Sequence, residues 1–311
     1  MNNSNGFEWP AEVWKEINDE VLKEVMKVRI TQKVFPTIRF DTNPTVVTDD
    51  VINFDDLSIK EGRTKPFVEI YREFPLTGPQ VSKETEYKTC KALARMAAKE
   101  IALAEDIIFF QGKDGKLPAN VKAELVSEAA GVGLLGEANP KDVSDNEENR
   151  VSVPILVPAV NDNGQRNGIL YGEHLFSAVA NGIAKLTRKA QAPAYALFLP
   201  IRAYADTFVP PSPASLVTTA ERIKPLVEGG FYGTGTLPEK FGLLVALAGA
   251  PTSLYVGREA TTEYVRQEGS KYIFRVVERV QYVARDPRAF VLFNLEPVSK
   301  GAHVQKPQPK N

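Results

Sequence analysis

Residues 98–112, "AKEIALAEDIIFFQG", place Glu100, Glu105 and Asp106 within seven positions, follow them with four bulky apolar residues and stop at Gly112. Two readings compete: carboxylates gathered for chemistry, or the acidic end of a structural helix. Successive helical residues project about 100° apart. Glu105 and Asp106 are therefore expected on different faces, and Glu100 lies off a common face with Glu105. Working outward, Tyr87, Cys90, Ala94, Ala97, Ile101, Ala104 and Ile108 recur at steps of three and four, widened by Leu93, Met96, Leu103 and Ile107. That spacing predicts one helix from about Ser82 to Gln111, roughly 45 Å long at 1.5 Å per residue, with Gly112 as its stop. Its acidic residues are expected to face solvent or a neighbouring chain. The stretch reads as the tail of a spine.

Chemistry has little to work with elsewhere. The 311 residues include two histidines, His174 and His303, and one cysteine, Cys90. A di-iron bundle needs paired Glu-x-x-His motifs, and none occurs. His174 reads as a polar first-turn residue, and Cys90, in mid-stripe, as a small buried apolar residue. "GFYGTG" at 230–235 is Gly-rich but lacks the lysine of a phosphate loop and precedes a strand. Neither zinc spacing nor a dinucleotide fingerprint is present. The expectation is a non-enzyme with no catalytic, cofactor-binding or metal-binding residue.

Composition agrees with a globular chain: 43% apolar and 25% charged residues, with 38 basic against 39 acidic. Such balance gives no field favouring nucleic acid or an anionic membrane. A single cysteine precludes an intramolecular disulfide, as suits a reducing compartment. The first residues lack a signal-peptide pattern, and the longest apolar run, "FGLLVALAGAP", is too short to span a bilayer. A soluble, cytoplasmic protein without membrane contact is expected.

Along the chain, "PAEVWKEINDEVLKEVMKV" reads as an amphipathic helix with Trp14, Ile17, Val21, Val25 and Val28 on one face. That face could dock another chain or pack on its own core. From Val46 to Phe74 the period changes to two, predicting a long hairpin that turns at "KEGR". An isolated two-stranded ribbon is marginal in water and needs something else to lie on. Residues 113–172 are the least regular, with a weak helix at 119–130, a Gly-rich acidic stretch and a proline-broken strand in "VSVPILVPAV". Order returns with a helix in "HLFSAVANGIAKLTRKA", a strand in "AYALFLP", short helices in "IRAYADTF" and "VTTAERIKPLVEGG", then four strands from Phe241 to Glu296. The tail is polar and expected to be mobile.

This order resembles the encapsulins, nanocompartment shell proteins with the fold of tailed-phage major capsid proteins. The resemblance rests on "EVWKEINDEVLKEVMKVRITQKVFP", "AKEIALAEDIIFFQG", "AYALFLPIRAYADTF" with "AERIKPLVEGGFYGTGTLPE", and "SLYVGREATTEYVRQEGSKYIFRVVERVQYVARDPRAFVLF". It implies an α+β, HK97-like major capsid fold with a peripheral domain, an extended β-arm (E-loop) and an axial domain. The implied division is 1–45 for the N-terminal helix, 46–75 for the arm and 76–112 for the spine helix. An insertion at 113–172, the axial domain at 173–257, return strands at 258–297 and a flexible tail at 298–311 complete it. The insertion is longer than a minimal encapsulin requires, and Pro36 stands where a polar residue would be expected.

Function, on this resemblance, is assembly. An icosahedral homo-oligomer of about sixty or more copies would enclose a cargo enzyme held by a C-terminal targeting peptide, such as a ferritin-like protein or a dye-decolourising peroxidase. The implied pore loop is Glu228, Gly229, Gly230, Phe231, Tyr232, Gly233, Thr234 and Gly235. It is expected to be mobile, with Glu228 and Glu239 forming a negative rim that favours cations. The implied cargo groove is Trp14, Ile17, Val21, Val25, Ile30 and Val34. The alternative is a major capsid protein of a tailed phage or prophage enclosing DNA.

Overall fold

A computed structural model describes residues 7–53, 56–124, 130–138, 155–158, 160–161, 169–210 and 217–296. Helix α1 (Ala11–Val28) has Trp14, Ile17, Val21 and Val25 buried along its apolar stripe. A single turn, α2 (Thr31–Val34), leads into strand β1 (Thr37–Arg39). The arm follows as two short ladders. Strand β2 (Val46–Thr48) pairs with β5 (Thr64–Pro66), and further out β3 (Val51–Asn53) pairs with β4 (Ser58–Lys60). Leu57, with φ of 53°, lies between the outer strands. The reversal is therefore there, and "KEGR" sits between two strands on the returning side. The two-residue period continues into β6 (Val68–Thr77), yet β6 is a strand of the main sheet, so the arm ends at Pro66.

The spine differs from the single helix expected. Helices α3 (Gly78–Ser82) and α4 (Glu84–Tyr87) precede α5 (Thr89–Gln111), and Lys88 between them is left-handed at φ 53°. Buried Glu84 starts α5 by accepting the N–H groups of Cys90 at 2.7 Å and Lys91 at 3.0 Å. A carboxylate there satisfies donors that a helix start leaves orphaned. At the other end Gly112 has φ of +61°, and a Cβ on it would come within 2.4–2.5 Å of the backbone at 131–133. Only glycine fits that close crossing.

Strand β7 (Lys122–Glu124) pairs with β6 where a weak helix was expected. Then come α6 (Gly133–Glu137), β8 (Ile155–Pro158), and the short pair β9 (Val160–Asn161) and β10 (Ile169–Leu170). Helix α7 (Gly172–Arg188), β11 (Tyr195–Pro200), α8 (Ile201–Asp206) and α9 (Thr219–Ile223) lead to β12 (Gly230–Thr234) and β13 (Phe241–Ala246). The long ribbon β14 (Thr252–Glu268) and β15 (Lys271–Ala284) precedes β16 (Phe290–Glu296). The tail from 297 and most of 139–168 lie outside the described residues.

Two five-stranded sheets organise these elements. The first has the order β1-β14-β15-β6-β7, the second β12-β11-β13-β16-β8. One face of the first sheet buries Val68, Ile70, Phe74, Val276 and Val280 in a core shared with α1 and α5. Charged residues cross the other face in pairs: Arg275 and Arg279 both meet Glu69, and Arg266 meets Glu73. The second sheet is apolar on both sides. Leu197, Leu244 and Phe293 belong to a core with α7, while Phe198, Leu243 and Phe290 join the core of the first sheet. The "IIFF" of the opening stretch lies at that junction. Phe110 meets Phe198 with 5.1 Å between ring centroids, and Phe109 meets Phe35 at 4.7 Å.

Helices α1 and α5 run side by side in the same direction. Glu16 pairs with Lys91, Glu20 with Arg95 and Glu24 with Lys99, a constant separation of 75 residues. A fixed register over three helical turns requires parallel axes. The basic partners lie partly or largely in solvent and the pairs contribute little stability, Glu24 alone being buried, but they mark how the stripe of α1 is turned inward.

Candidate assembly, pore and cargo surfaces

The arm is the part of the fold with least core of its own. At its base Val47 is buried against Phe67, Tyr255 and Val283, with Phe40 packed alongside. Lys65 is pinned there too, its Nζ 3.7 Å from the ring centroid of Tyr282 and donating to the Tyr282 carbonyl at 3.1 Å. Burial pulls the Lys65 ammonium below its ordinary pKa, against the charge of Asp49. Towards the tip this anchoring stops. Leu57 is 81% exposed and Ile59 60%. An apolar tip exposed to this extent suits burial against another surface.

The implied pore segment is mostly not a loop. Gly230–Thr234 is the edge strand β12, parallel to β11. Glu228, Gly235 and Glu239 are exposed, whereas Thr234 is buried. Both aromatic residues pin the strand: Tyr232 stacks on Phe198 at 5.4 Å, and Phe231 meets Tyr204 at 4.9 Å. The glycines serve packing. A Cβ on Gly233 would lie 2.5 Å from the Tyr204 ring, while one on Gly235 would meet nothing within 4 Å. The expectation of a mobile segment is corrected for Gly230–Thr234, because ladder bonds and aromatic contacts hold it. Glu228 precedes the strand and Gly235 and Glu239 follow it, all three exposed.

The expected cargo groove is also corrected. Trp14, Ile17, Val21 and Val25 are all buried in the chain's own core, so their apolar surface is already used. Ile30 and Val34 are half-buried against the same core. No four-residue face remains for a peptide on this side of α1.

The acidic residues of the opening stretch are not at the surface. Glu105 and Asp106 are buried, contrary to the expectation that they face solvent or a neighbour. Nor are they kept apart, for the Thr31 hydroxyl lies 3.1 Å from Glu105 and 2.7 Å from Asp106. Asp106 also accepts the backbone N–H groups of Ile30 at 2.9 Å and Thr31 at 3.0 Å. Burial, and then the charge of Glu105, push its carboxyl up to about 7, while the Thr31 and Ile30 donors pull it down. Glu105 takes Gln32 at 3.1 Å and shares Arg29 with Glu278, at 3.0 and 3.2 Å. Glu100, by contrast, pairs with Arg72 at 2.7 Å in a partly exposed position. The signal missed in the sequence was Arg29 and Glu278, each on an apolar face far from the carboxylates they meet.

Among the described residues no group of three or more His, Cys, Asp and Glu side chains could hold a metal ion. No helix among them is long and apolar enough to cross a membrane.

Two sheets joined by a spine helix, with an extended hairpin, define the capsid-type shell fold. The solved structures agree. The virus-like particle of Pyrococcus furiosus matches with a TM-score of 0.62 at 17% identity, covering 91% of this chain and 100% of that one. The procapsid of satellite phage P4 with its size-determination protein matches with a TM-score of 0.52 at 11% identity, covering 96% and 95%. The capsid of Myoviridae phage XM1 matches with a TM-score of 0.51 at 12% identity, covering 85% and 90%. The chain thus has the α+β, HK97-type capsid fold. Within it, the family model described as "Encapsulating protein for peroxidase" matches residues 161–281, and the resemblance to encapsulin shell proteins holds over that stretch. No curated protein matches the sequence.

Proposed function

We propose that this chain is the structural protomer of a closed icosahedral shell that encloses a cargo enzyme and admits small molecules or ions through pores. The observation that carries the reading is the arm: a hairpin that projects beyond the buried cores, with tip residues Leu57 and Ile59 exposed. Laid across a neighbouring copy, the tip would bury that surface, so part of the folding energy becomes assembly energy. The first sheet with α1 and α5 would form the peripheral domain, and the second sheet with α7 the axial domain.

The description of the matched family supports a peroxidase as cargo, held by a targeting peptide at the cargo's C-terminus. With the α1 stripe buried, the peptide would need another part of the inner surface. The exposed residues flanking the edge strand β12, Glu228 before it and Gly235 and Glu239 after it, are the candidate pore rim. Its match to phage capsids supports a second reading, a capsid protein enclosing DNA. Electron microscopy of the purified protein, with identification of what co-purifies, separates the two. Closed shells holding an enzyme support the first reading and shells holding DNA the second, while a monodisperse monomer under all conditions would remove both.

A further inference from the structure

Arg29, Glu105, Asp106 and Glu278 are each no more than 2% exposed, so three carboxylates and one guanidinium lie in a dry interior, with Glu105 and Glu278 paired to Arg29 directly. They converge from three elements: Arg29 follows α1, Glu105 and Asp106 lie on α5, and Glu278 lies on β15. Thr31 and Gln32 of α2 face the same carboxylates. Glu259 on β14 adds a more distant negative charge and is itself paired with Arg39 on β1.

The three carboxylates are not equally provided for. Asp106 has three donors from Ile30 and Thr31, and Glu105 has Arg29 and Gln32, the single Thr31 hydroxyl proton lying nearer Asp106. Glu278 shares only Arg29 through one oxygen, and its Oε2 has no donor. An ionised, fully buried oxygen without a donor is strongly disfavoured. Glu105 Oε2 and Glu278 Oε1 both lie against the same nitrogen, Arg29 Nη1, at 3.0 and 3.2 Å, which sets the two carboxylates side by side. A proton on Glu278 would therefore find an acceptor and remove one of two anions held side by side.

We propose that Glu278 is a neutral carboxylic acid in the folded protein, donating its proton to Glu105, and that this buried proton locks the Arg29–Gln32 segment between the spine helix and the first sheet. Burial raises the Glu278 carboxyl well above the ordinary range, and the negative charge of Glu105 adds to the shift while Arg29 opposes it. A group whose pKa is higher in the folded than in the unfolded chain stabilises the fold at low pH, and that stabilisation is lost as pH rises through the folded value. The lock is therefore released by alkali, not by acid. Asp106 shifts in the same direction but only to about 7, so its share of the loss is complete near neutrality and any fall at higher pH belongs to Glu278.

The test is the melting temperature of the intact protein between about pH 6 and about pH 10, for wild type and Glu278→Gln. Glutamine keeps an acceptor for Arg29 and a donor for Glu105 at every pH. The wild-type Tm should fall with rising pH, and E278Q should remove about half or more of the fall on the alkaline side while matching wild type at the acidic end. Infrared spectroscopy gives an independent reading, since above the titration of Asp106 wild type should retain the carbonyl stretch of a protonated carboxyl that E278Q lacks. A wild-type spectrum without that band overturns the proposal, even if E278Q fails to fold. So does an E278Q protein whose Tm is lowered equally at every pH, for that marks an ionised Glu278 in a plain salt bridge.

Discussion

Removing the guanidinium of Arg29 leaves Glu105 and Glu278 facing each other in a dry interior, with Asp106 close by. Arg29→Met should therefore lose about 3–5 kcal/mol, the range for breaking a buried charge pair from one side. Arg95→Ala removes a long, half-exposed contact to Glu20 and should cost no more than about 1 kcal/mol. Urea unfolding of the two variants measures the contrast, and equal costs would mean that the interior cluster is not a cohesive unit. Period-based reading misplaced Glu105 and Asp106 because helical spacing reports which face a residue takes, not what waits opposite. Arg29 lies 249 positions from Glu278. Glycine positions follow the same lesson in reverse. Composition at 229–235 suggested a loose loop, whereas Gly233 is there because the Tyr204 ring occupies the space of a side chain.

At the scale of elements, periodicity found α1, α7 and the long strands β14 and β15, where ten or more residues repeat one pattern, and the shorter β16. It failed where a single local contact decides. The spine restarts at Thr89 because Glu84 caps it and Lys88 is left-handed, and no stripe registers either fact. The strand pattern of 46–74 was legible, but its division between arm and sheet depends on pairing with β15. The arm offers a clean excision, since the N–H of Asp49 donates to the carbonyl of Arg63 at 2.9 Å. Deleting residues 50–62 therefore joins two strands already side by side and leaves the anchored base with Val47 and Lys65 in place. The protein should remain soluble, with an unchanged melting temperature for the protomer core, yet form no closed shells by electron microscopy. Normal shells from this deletion would show that the tip does not join subunits. A milder variant, Leu57→Asp with Ile59→Asp, should weaken assembly in the same direction.

At the scale of the whole molecule, the order of elements was legible and the joints between them were not. Helix, arm, spine, second sheet and return ribbon follow from runs of residues, but the insertion of Phe109 and Phe110 between the sheets is long-range. The site expectations suffered most, because a residue's period cannot say whether its apolar face is used inside the chain or offered outside it. The proposed pore rim is Glu228, Gly235 and Glu239, exposed on either side of β12 at the edge of the second sheet. Copies repeated around a symmetry axis would sum those charges into a ring that attracts cations and repels anions. Reversing both, Glu228→Lys with Glu239→Lys, touches no buried group and should leave shells intact. Entry of a small cation to an enclosed reporter should then slow several-fold, entry of an anion should quicken, and both changes should shrink at high salt as the field is screened. A bulky test runs in parallel: Gly235→Leu fits open space and should narrow the passage, whereas Gly233→Leu collides with Tyr204 and should cost stability instead. Entry rates unchanged in the charge-reversed and Gly235→Leu shells, with the particles still closed, would place the passage elsewhere on the shell.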